Sequence, residues 1–489
     1  MNQNAVLLLA GVALALAGCT MAPKYSRPDA PIPASWPEGR AYVGNAATTN
    51  ATPATDVNWQ DYFVDPPLRE IIGLGLTHNR DLRVAALNVE RARAMYGIRR
   101  AELWPTLEAT GSGSRQRIPA DLSNSGGRQT VSRYDASLGV ASWEIDFFGR
   151  IRSLKDRALE EYLATEQARR GARILLVSSI AQTYLTLAAD RENLTLSETT
   201  LESQQAAYAL VKRRHDLGLV PELDLLRAQA PLEVARRDVA IYTQRVAKEE
   251  NALTLLAGSP VPIELLPAEL TGLTPVSELG AGLSSDVLLH RPDVLQSENL
   301  LKAANADIGA ARAAFFPRVS LTAAVGTASS DLSGLFKSGS GVWSYAPQIV
   351  LPIFDARTWS ASKAAKVQRE IAVSQYEQAI QSAFREVADV LAVRGTMEEQ
   401  LSAQQSLVNA LNDTWRLAGS RFERGIDSYL GVLDAQRSLF AAQQALVFLR
   451  LEKLANEVRL YEVLGGGWQI ETPPPVTARV AGPESAGTH

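Results

Sequence analysis

The sequence repeats itself once over most of its length. Shifting it by 212 places His78, Asp81, Leu82, Val89, Ala92 and Pro105 on His290, Asp293, Val294, Leu301, Ala304 and Pro317. Further along, a shift of 207 places Gly218, Leu223, Leu226, Ala228, Gln229 and Leu232 on Gly425, Leu430, Leu433, Ala435, Gln436 and Leu439. Solenoid repeats recur every ~20–50 residues, so a period this long marks one duplicated unit rather than a stacked array. Any fold for this chain must build two similar sectors, which overrides the roughly three domains that 489 residues suggest by length alone.

Each half follows one order: helix, two strands, a very long helix, a turn and another helix. Leu82, Ala85, Val89, Ala92 and Tyr96 lie three and four apart and predict a helix from Leu68 to Leu103, stopped by Trp104-Pro105. A hairpin follows over 106–145, turning at Ser123 to Gly127. On its second strand Tyr134, Ala136, Leu138 and Val140 face one way, and Arg133, Asp135, Ser137 and Gly139 the other. The copy spans 318–354. There Val319, Leu321, Ala323 and Val325 oppose Ser320, Thr322, Ala324 and Gly326, and Trp343, Tyr345, Ile349, Leu351 and Ile353 continue the apolar side. One apolar face and one small or polar face suit a strand in a membrane barrel.

Arg150–Asp216 and Arg357–Arg424 contain no proline. At about 1.5 Å per residue each predicts a helix on the order of 100 Å long. Heptads support them: Leu187, Leu194, Leu201, Tyr208 and His215, and after the turn Leu225, Leu232, Val239, Val246 and Leu253. The copy has Leu401, Val408, Trp415 and Phe422, then Val432, Leu439, Leu446 and Leu460, broken at Lys453. The shorter helices, such as Pro221 to Ala257, cover about half a long one, so two stacked end to end match it and the set tiles a cylinder wall.

Charge and cysteine bound the partners. With 49 basic and 53 acidic residues and no basic block, nucleic acid is not an expected partner. The single cysteine, Cys19, excludes an intrachain disulfide framework. It follows an apolar run from Ala5 to Gly18 that is too short to span a bilayer, ending Leu16-Ala17-Gly18-Cys19. That ending resembles a bacterial lipobox, which implies a lipoprotein signal peptide over 1–18 and lipid on Cys19. A signal peptide with an incidental cysteine is the alternative. Residues 19–55 are rich in Pro, Ala and Thr and read as an extended tether, and 468–489 as a disordered tail.

Four strands per chain cannot close a barrel, because about eight is the smallest workable number and lipid tolerates no open edge. The strands must be shared among chains. Three copies supply about twelve strands, and their helices continue below as an open tube.

Here the residues resemble a known family, the outer-membrane factors of tripartite efflux pumps, in the OprM- and NodT-like lipoprotein branch of the TolC superfamily. The matching stretches are Arg291-Pro292-Asp293-Val294, Ile308 through Pro317, Trp143 through Arg150, and Leu351 through Asp355. The likeness runs from the lipobox to Leu464-Gly465-Gly466-Gly467-Trp468. It implies a mainly α fold: a homotrimer with a shared twelve-stranded outer-membrane barrel and an α-helical periplasmic tunnel. On that reading 56–258 and 284–467 are the structural repeats, with helical hairpins over 150–257 and 357–464. An equatorial linker over 259–283 joins them. The implied function is passive exit of drugs or other small toxic compounds. The implied partners are outer-membrane lipid, a periplasmic adaptor and an inner-membrane RND transporter.

The two turns between long and short helices carry the candidate sites. They read Leu217-Gly218-Leu219-Val220-Pro221 and Arg424-Gly425-Ile426-Asp427-Ser428, with glycine ending one helix and Pro221 or Ser428 starting the next. A purely structural turn needs no more. The resemblance implies that Gly218, Leu219, Val220, Gly425, Ile426 and Asp427 dock the adaptor. Leu430, Asp434 and Arg437 are spaced four and three on one helix face. The resemblance implies that such positions line a closed aperture, although a solvated ion pair has the same spacing. Relatives also lock the aperture with an aromatic hydroxyl and an acid. Here Asp224 keeps the acid, Phe422 lacks the hydroxyl, and Gly431 stands where some relatives carry a second acid.

An enzyme finds little support. His78, His215, His290 and His489 form no metal-ligand pair at helical spacing, and no phosphate-binding glycine loop appears. No metal, cofactor or catalytic residue is expected. Two other readings stay open: a lipid-anchored coiled-coil tether without a pore, and the duct of a type I protein secretion system.

Overall fold

The computed structural model describes residues 20–42, 58–123, 126–271, 273, 276 and 285–466. The leader, Cys19 and the tail from 468 lie outside them. Residues 20–42 include one 3-10 turn, Arg40–Tyr42.

The first half comprises α1 (Pro66–His78), α2 (Arg80–Ala101), β1 (Leu107–Ile118), β2 (Gln129–Ile145), α3 (Arg150–Asp216) and α4 (Glu222–Ala257). The second comprises α5 (Pro292–Ala313), β3 (Arg318–Ser329), β4 (Gly341–Val350), α6 (Ala356–Glu423) and α7 (Tyr429–Val463). The long helices have 67 and 68 residues. The helix expected from Leu68 to Leu103 is two helices. Asn79 turns extended at ψ 131°, accepts from the Leu82 N–H at 2.9 Å and donates to the Leu256 carbonyl at 3.0 Å. It therefore starts α2 as a cap while tying the break to α4.

The chain divides into two compact units that each draw on both halves: 1–31, 85–169 and 293–379, and 32–84, 170–292 and 380–489. The first holds one antiparallel sheet in the order β1-β2-β3-β4. Its register puts Leu138, Val325 and Trp343 on one rung and Val140, Ala323 and Tyr345 on the next. The apolar face is thus continuous across β2, β3 and β4. A bulge between Val140 and Trp143, with Ser142 at φ 53°, brings Trp143 rather than Ser142 opposite Leu321. The second hairpin ends earlier than expected, at Val350. Leu351 and Ile353 do not extend the strand: Pro352 has no N–H for the ladder, and Ile353 is 94 % exposed.

Ion pairs close the strand-to-helix junctions. Arg150 grips Glu144 through two bonds of 2.7 and 2.8 Å, and Asp146 accepts from the Arg152 N–H at 2.9 Å. Asp355 does the same for Arg357 at the start of α6. Residues 25 and 27 of the N-terminal segment are held by Glu298 of α5, whose side chain is 4 % exposed. Glu298 accepts from Arg27 at 2.6 and 3.1 Å, from the Tyr25 hydroxyl at 3.1 Å, and pairs with Lys302 at 3.2 Å. Burial pushes its carboxyl up, but the Arg27 and Lys302 cations outweigh this and leave it below the usual range.

The second unit is built around aromatic rings. Tyr62 stacks on Tyr461 at 4.7 Å, Phe63 meets both, and all three are buried. Arg291, from the quoted Arg-Pro-Asp-Val stretch, donates to the Val463 carbonyl at 2.6 Å and pairs with Glu386 at 2.8 Å. The stretch after α4 is pinned on α3: Arg191 donates to the Pro267 carbonyl, and Glu192 accepts from the Leu270 and Thr271 N–H groups.

The heptads meet two fates. On α7 the stripe Val432, Leu439, Leu446 and Leu460 is buried. On α3 only Leu187 of its stripe is buried, while Asp190, Ser197, Gln204 and Val211, three residues further on, fill the seam. Leu194, Leu201 and Tyr208 are left half-buried at its margin.

Candidate functional site

The two tips have the same backbone. After α3, the Leu219 N–H reaches back to the Arg214 carbonyl at 2.9 Å and Gly218 to His215 at 2.8 Å. After α6, Ile426 reaches Arg421 at 3.0 Å and Gly425 reaches Phe422 at 2.9 Å. Both are Schellman turns, and both glycines sit at φ 72°. An L side chain is strained in that region, which accounts for the paired glycines. Pro221 and Ser428 then precede α4 and α7 in extended conformation.

What the turns display differs. The first shows Leu217 and Leu219, each 69 % exposed, while Val220 is half-buried. The second shows Ile426, 57 % exposed, beside Asp427. Arg421 closes on Asp427 across the turn, with its second nitrogen 3.2 Å from the carboxylate. The Arg421 hydrogen bond holds the Asp427 carboxyl below its ordinary range. The corresponding first-tip positions, Arg214 and Val220, cannot form this clamp. Arg214 instead lies over the Phe422 ring, 5.3 Å from its centroid, and Phe422 packs against Tyr429 at 5.0 Å. Burial pushes the Tyr429 hydroxyl up.

Inside the second tip, Asp434 and Arg437 form an exposed i,i+3 pair at 3.0 Å, one face with Leu430, itself 45 % exposed. Inside the first, Asp224 pairs with Arg227 at 3.6 Å. The structure thus brings together Asp434 with Arg437 and Asp427 with Arg421. Asp224 takes Arg227 as its partner, and Phe422 takes Arg214 and Tyr429. Arg214, Arg421 and Tyr429 were not singled out from the sequence. Opposite charges flanking Gly425 were the available signal for Arg421, whereas the approach of Arg214 to Phe422 joins residues of different halves. Two further bonds tie α7 to the first helical hairpin: Gln436 donates to the Ser203 hydroxyl and Gln444 to the Tyr242 hydroxyl, each at 3.0 Å.

Comparison with known proteins agrees with this architecture. The family model for outer membrane efflux protein matches twice, over residues 71–259 and 283–466. The probable efflux pump outer membrane protein TtgC of Pseudomonas putida is 49 % identical over 96 % of this chain and 97 % of its own. The outer membrane protein OprJ of Pseudomonas aeruginosa is 41 % identical over 94 % and 95 %. Among solved structures, the open state of the MtrE outer membrane channel of Neisseria gonorrhoeae superposes with a TM-score of 0.82 at 38 % identity, covering 92 % of this chain and 98 % of that one. A duplicated helical hairpin, a four-stranded sheet with one apolar face and the double match over most of its length place this chain in the outer membrane efflux protein family.

Proposed function

We propose that three copies of this chain form the outer-membrane exit channel of a tripartite efflux pump, closed at rest by the second helical tip and opened by a periplasmic adaptor. The outer membrane is its location, and efflux its process, as for the relatives it matches. One observation carries the pore: the sheet has an apolar face across β2, β3 and β4, and its outer strands β1 and β4 each have a single partner strand within the chain. Lipid does not accept such edges, so the barrel is completed by other copies. A tether without a pore gives no role to that face.

In this reading the duct is passive, and energy comes from an RND transporter in the inner membrane. Lipid on Cys19 anchors the tether. Exposed Leu219 and Ile426, with Gly218, Val220, Gly425 and Asp427, form the surface that meets the adaptor. Around a threefold axis Leu430, Asp434 and Arg437 each become a ring, so an apolar constriction lies beside alternating charges that steady one another. The efflux names of the relatives favour small toxic compounds over secreted proteins as cargo. Single-channel recording in planar bilayers tests the gate: Asp434→Ala or Arg437→Ala raises conductance, and unchanged conductance in both removes the assignment.

A further inference from the structure

The outward face of the sheet changes character at one rung. β3 has 12 residues, slightly more than the about 9–11 a tilted strand needs to cross the hydrocarbon layer. Its last residue, Ser329, lies opposite Tyr134, which in turn lies opposite Gly113. The Tyr134 ring covers Gly113, so close that a Cβ there would stand 3.1 Å from it. An aromatic ring at this level marks the membrane interface.

The first hairpin continues past that rung. On the same face, Arg115 pairs with Ser132 and Arg117 with Thr130. Both arginines are exposed, and among the described residues neither has an ion-pair partner. This differs from Arg133, on the opposite face, whose charge is taken by Asp135 at 2.8 Å. The strand ends that join the helices lie at the other edge of the band, so in the outer-membrane reading Arg115 and Arg117 stand at the external surface. Two guanidinium groups one rung apart, beside Ser132 and Thr130 of β2, present the forked donors that grip phosphate oxygens.

We propose that Arg115 and Arg117 form a cationic collar that binds the phosphates of the glycolipid in the outer leaflet of the outer membrane. The inference rests on the outer-membrane channel reading and adds to it a lipid of defined chemistry. The collar is continuous with the apolar band: acyl chains lie against Leu138 and Val325, and the headgroup phosphate lies above Tyr134. In a trimer the collar recurs three times, which holds a shell of lipid on the barrel where the strands leave the hydrocarbon.

The test uses the full-length oligomer in detergent, titrated with bis-phosphorylated lipid A and, separately, with its dephosphorylated form. A basic side chain at a charged lipid surface contributes about fivefold in affinity. Arg115→Ala with Arg117→Ala is therefore expected to weaken binding of the phosphorylated lipid on the order of 25-fold. Arg115→Lys with Arg117→Lys keeps most of it, Arg133→Ala changes it less than about twofold because that charge is already paired, and dephosphorylated lipid binds weakly to all. Equal binding of both lipids by the unaltered protein, or normal binding by the double alanine variant, overturns the proposal. So does displacement of the lipid by an equal concentration of inorganic phosphate, which would assign the arginines to free anions. Conductance of the same preparations separates the two readings. A conducting double alanine variant with normal lipid binding removes the collar alone, whereas failure to conduct by both the unaltered protein and its Asp434→Ala variant removes the channel.

Discussion

The two helical tips share a backbone and differ in chemistry. Both close with the same pair of Schellman bonds around a glycine at φ 72°. Around that frame the first tip is apolar and unclamped, whereas the second carries the Arg421–Asp427 clamp, the Phe422–Tyr429 contact and the tighter of the two aspartate–arginine pairs. Duplication preserved what the backbone requires and released what it does not. The gate proposal depends on that divergence, so experiments matched position by position between the tips can break or sharpen it.

The largest difference is expected at Phe422 and its counterpart His215. Phe422 meets Tyr429 and lies under Arg214, so Phe422→Ala should lower stability by about 2 kcal/mol, a half-buried aromatic costing less than a core one. His215 is half-buried with only a 3.7 Å approach to Asp216, and His215→Ala should cost less than about 0.5 kcal/mol. Heat dissociation of the oligomer measures both, and equal costs would remove the packing asymmetry.

The glycines should show no asymmetry. Gly218→Ala and Gly425→Ala each force an L residue into the left-handed region and should each cost about 1–2 kcal/mol. Neither site has a neighbour within 4 Å of an added Cβ, so strain is the whole effect. A markedly larger loss at one tip would mean that a contact in the assembled tube, rather than the turn, sets the requirement.

Smaller still are the helix ion pairs. Asp434–Arg437 and Asp224–Arg227 are both exposed i,i+3 pairs, so breaking either should change stability by only about 0.3–0.5 kcal/mol. Conductance should separate them. Asp434→Ala should raise it on the order of twofold or more as its ring of charge is removed, while Arg227→Ala, at the matching position of the first tip, should leave it near the starting value. Equal effects would place both tips at the constriction.

How much of this the sequence discloses depends on the distance between cause and effect. The long helices follow from the lack of proline over 150–216 and 357–424, and the sheet faces from strict alternation; both are local. The break at Asn79 is not local, because one of the two hydrogen bonds of its side chain goes to Leu256. The α3 seam was misplaced by three residues because Asp190, Ser197 and Gln204 do not read as core positions, yet they are buried. The hold of Glu298 on Arg27 spans 271 positions and has no periodic signature. Of the candidate site, glycine spacing disclosed the turns and helical spacing the Asp434–Arg437 pair. The contact of Arg214 with Phe422 required three dimensions.

The clamp itself gives the finest test, because it can be moved. Arg214 occupies the same place in its turn as Arg421, and only Val220 stands where Asp427 would receive it. Val220→Asp should draw Arg214 off the Phe422 ring and slow amide exchange in residues 217–220 to the rates of 424–427. Asp427→Ala should do the reverse at the second tip. The pH dependence fixes the sign. Arg421 holds the Asp427 carboxyl below the ordinary aspartate value, so the clamp is fully present above that ordinary value and is lost only as pH falls through the lower folded value. Exchange protection at the second tip should therefore be the same at about pH 5 and pH 7 after correction for intrinsic rates, and 1 M salt should weaken it, since the pair is exposed. Protection that survives both Asp427→Ala and 1 M salt would mean that the turn bonds alone order this loop, and that its difference from the first tip lies in Phe422 and Asp434.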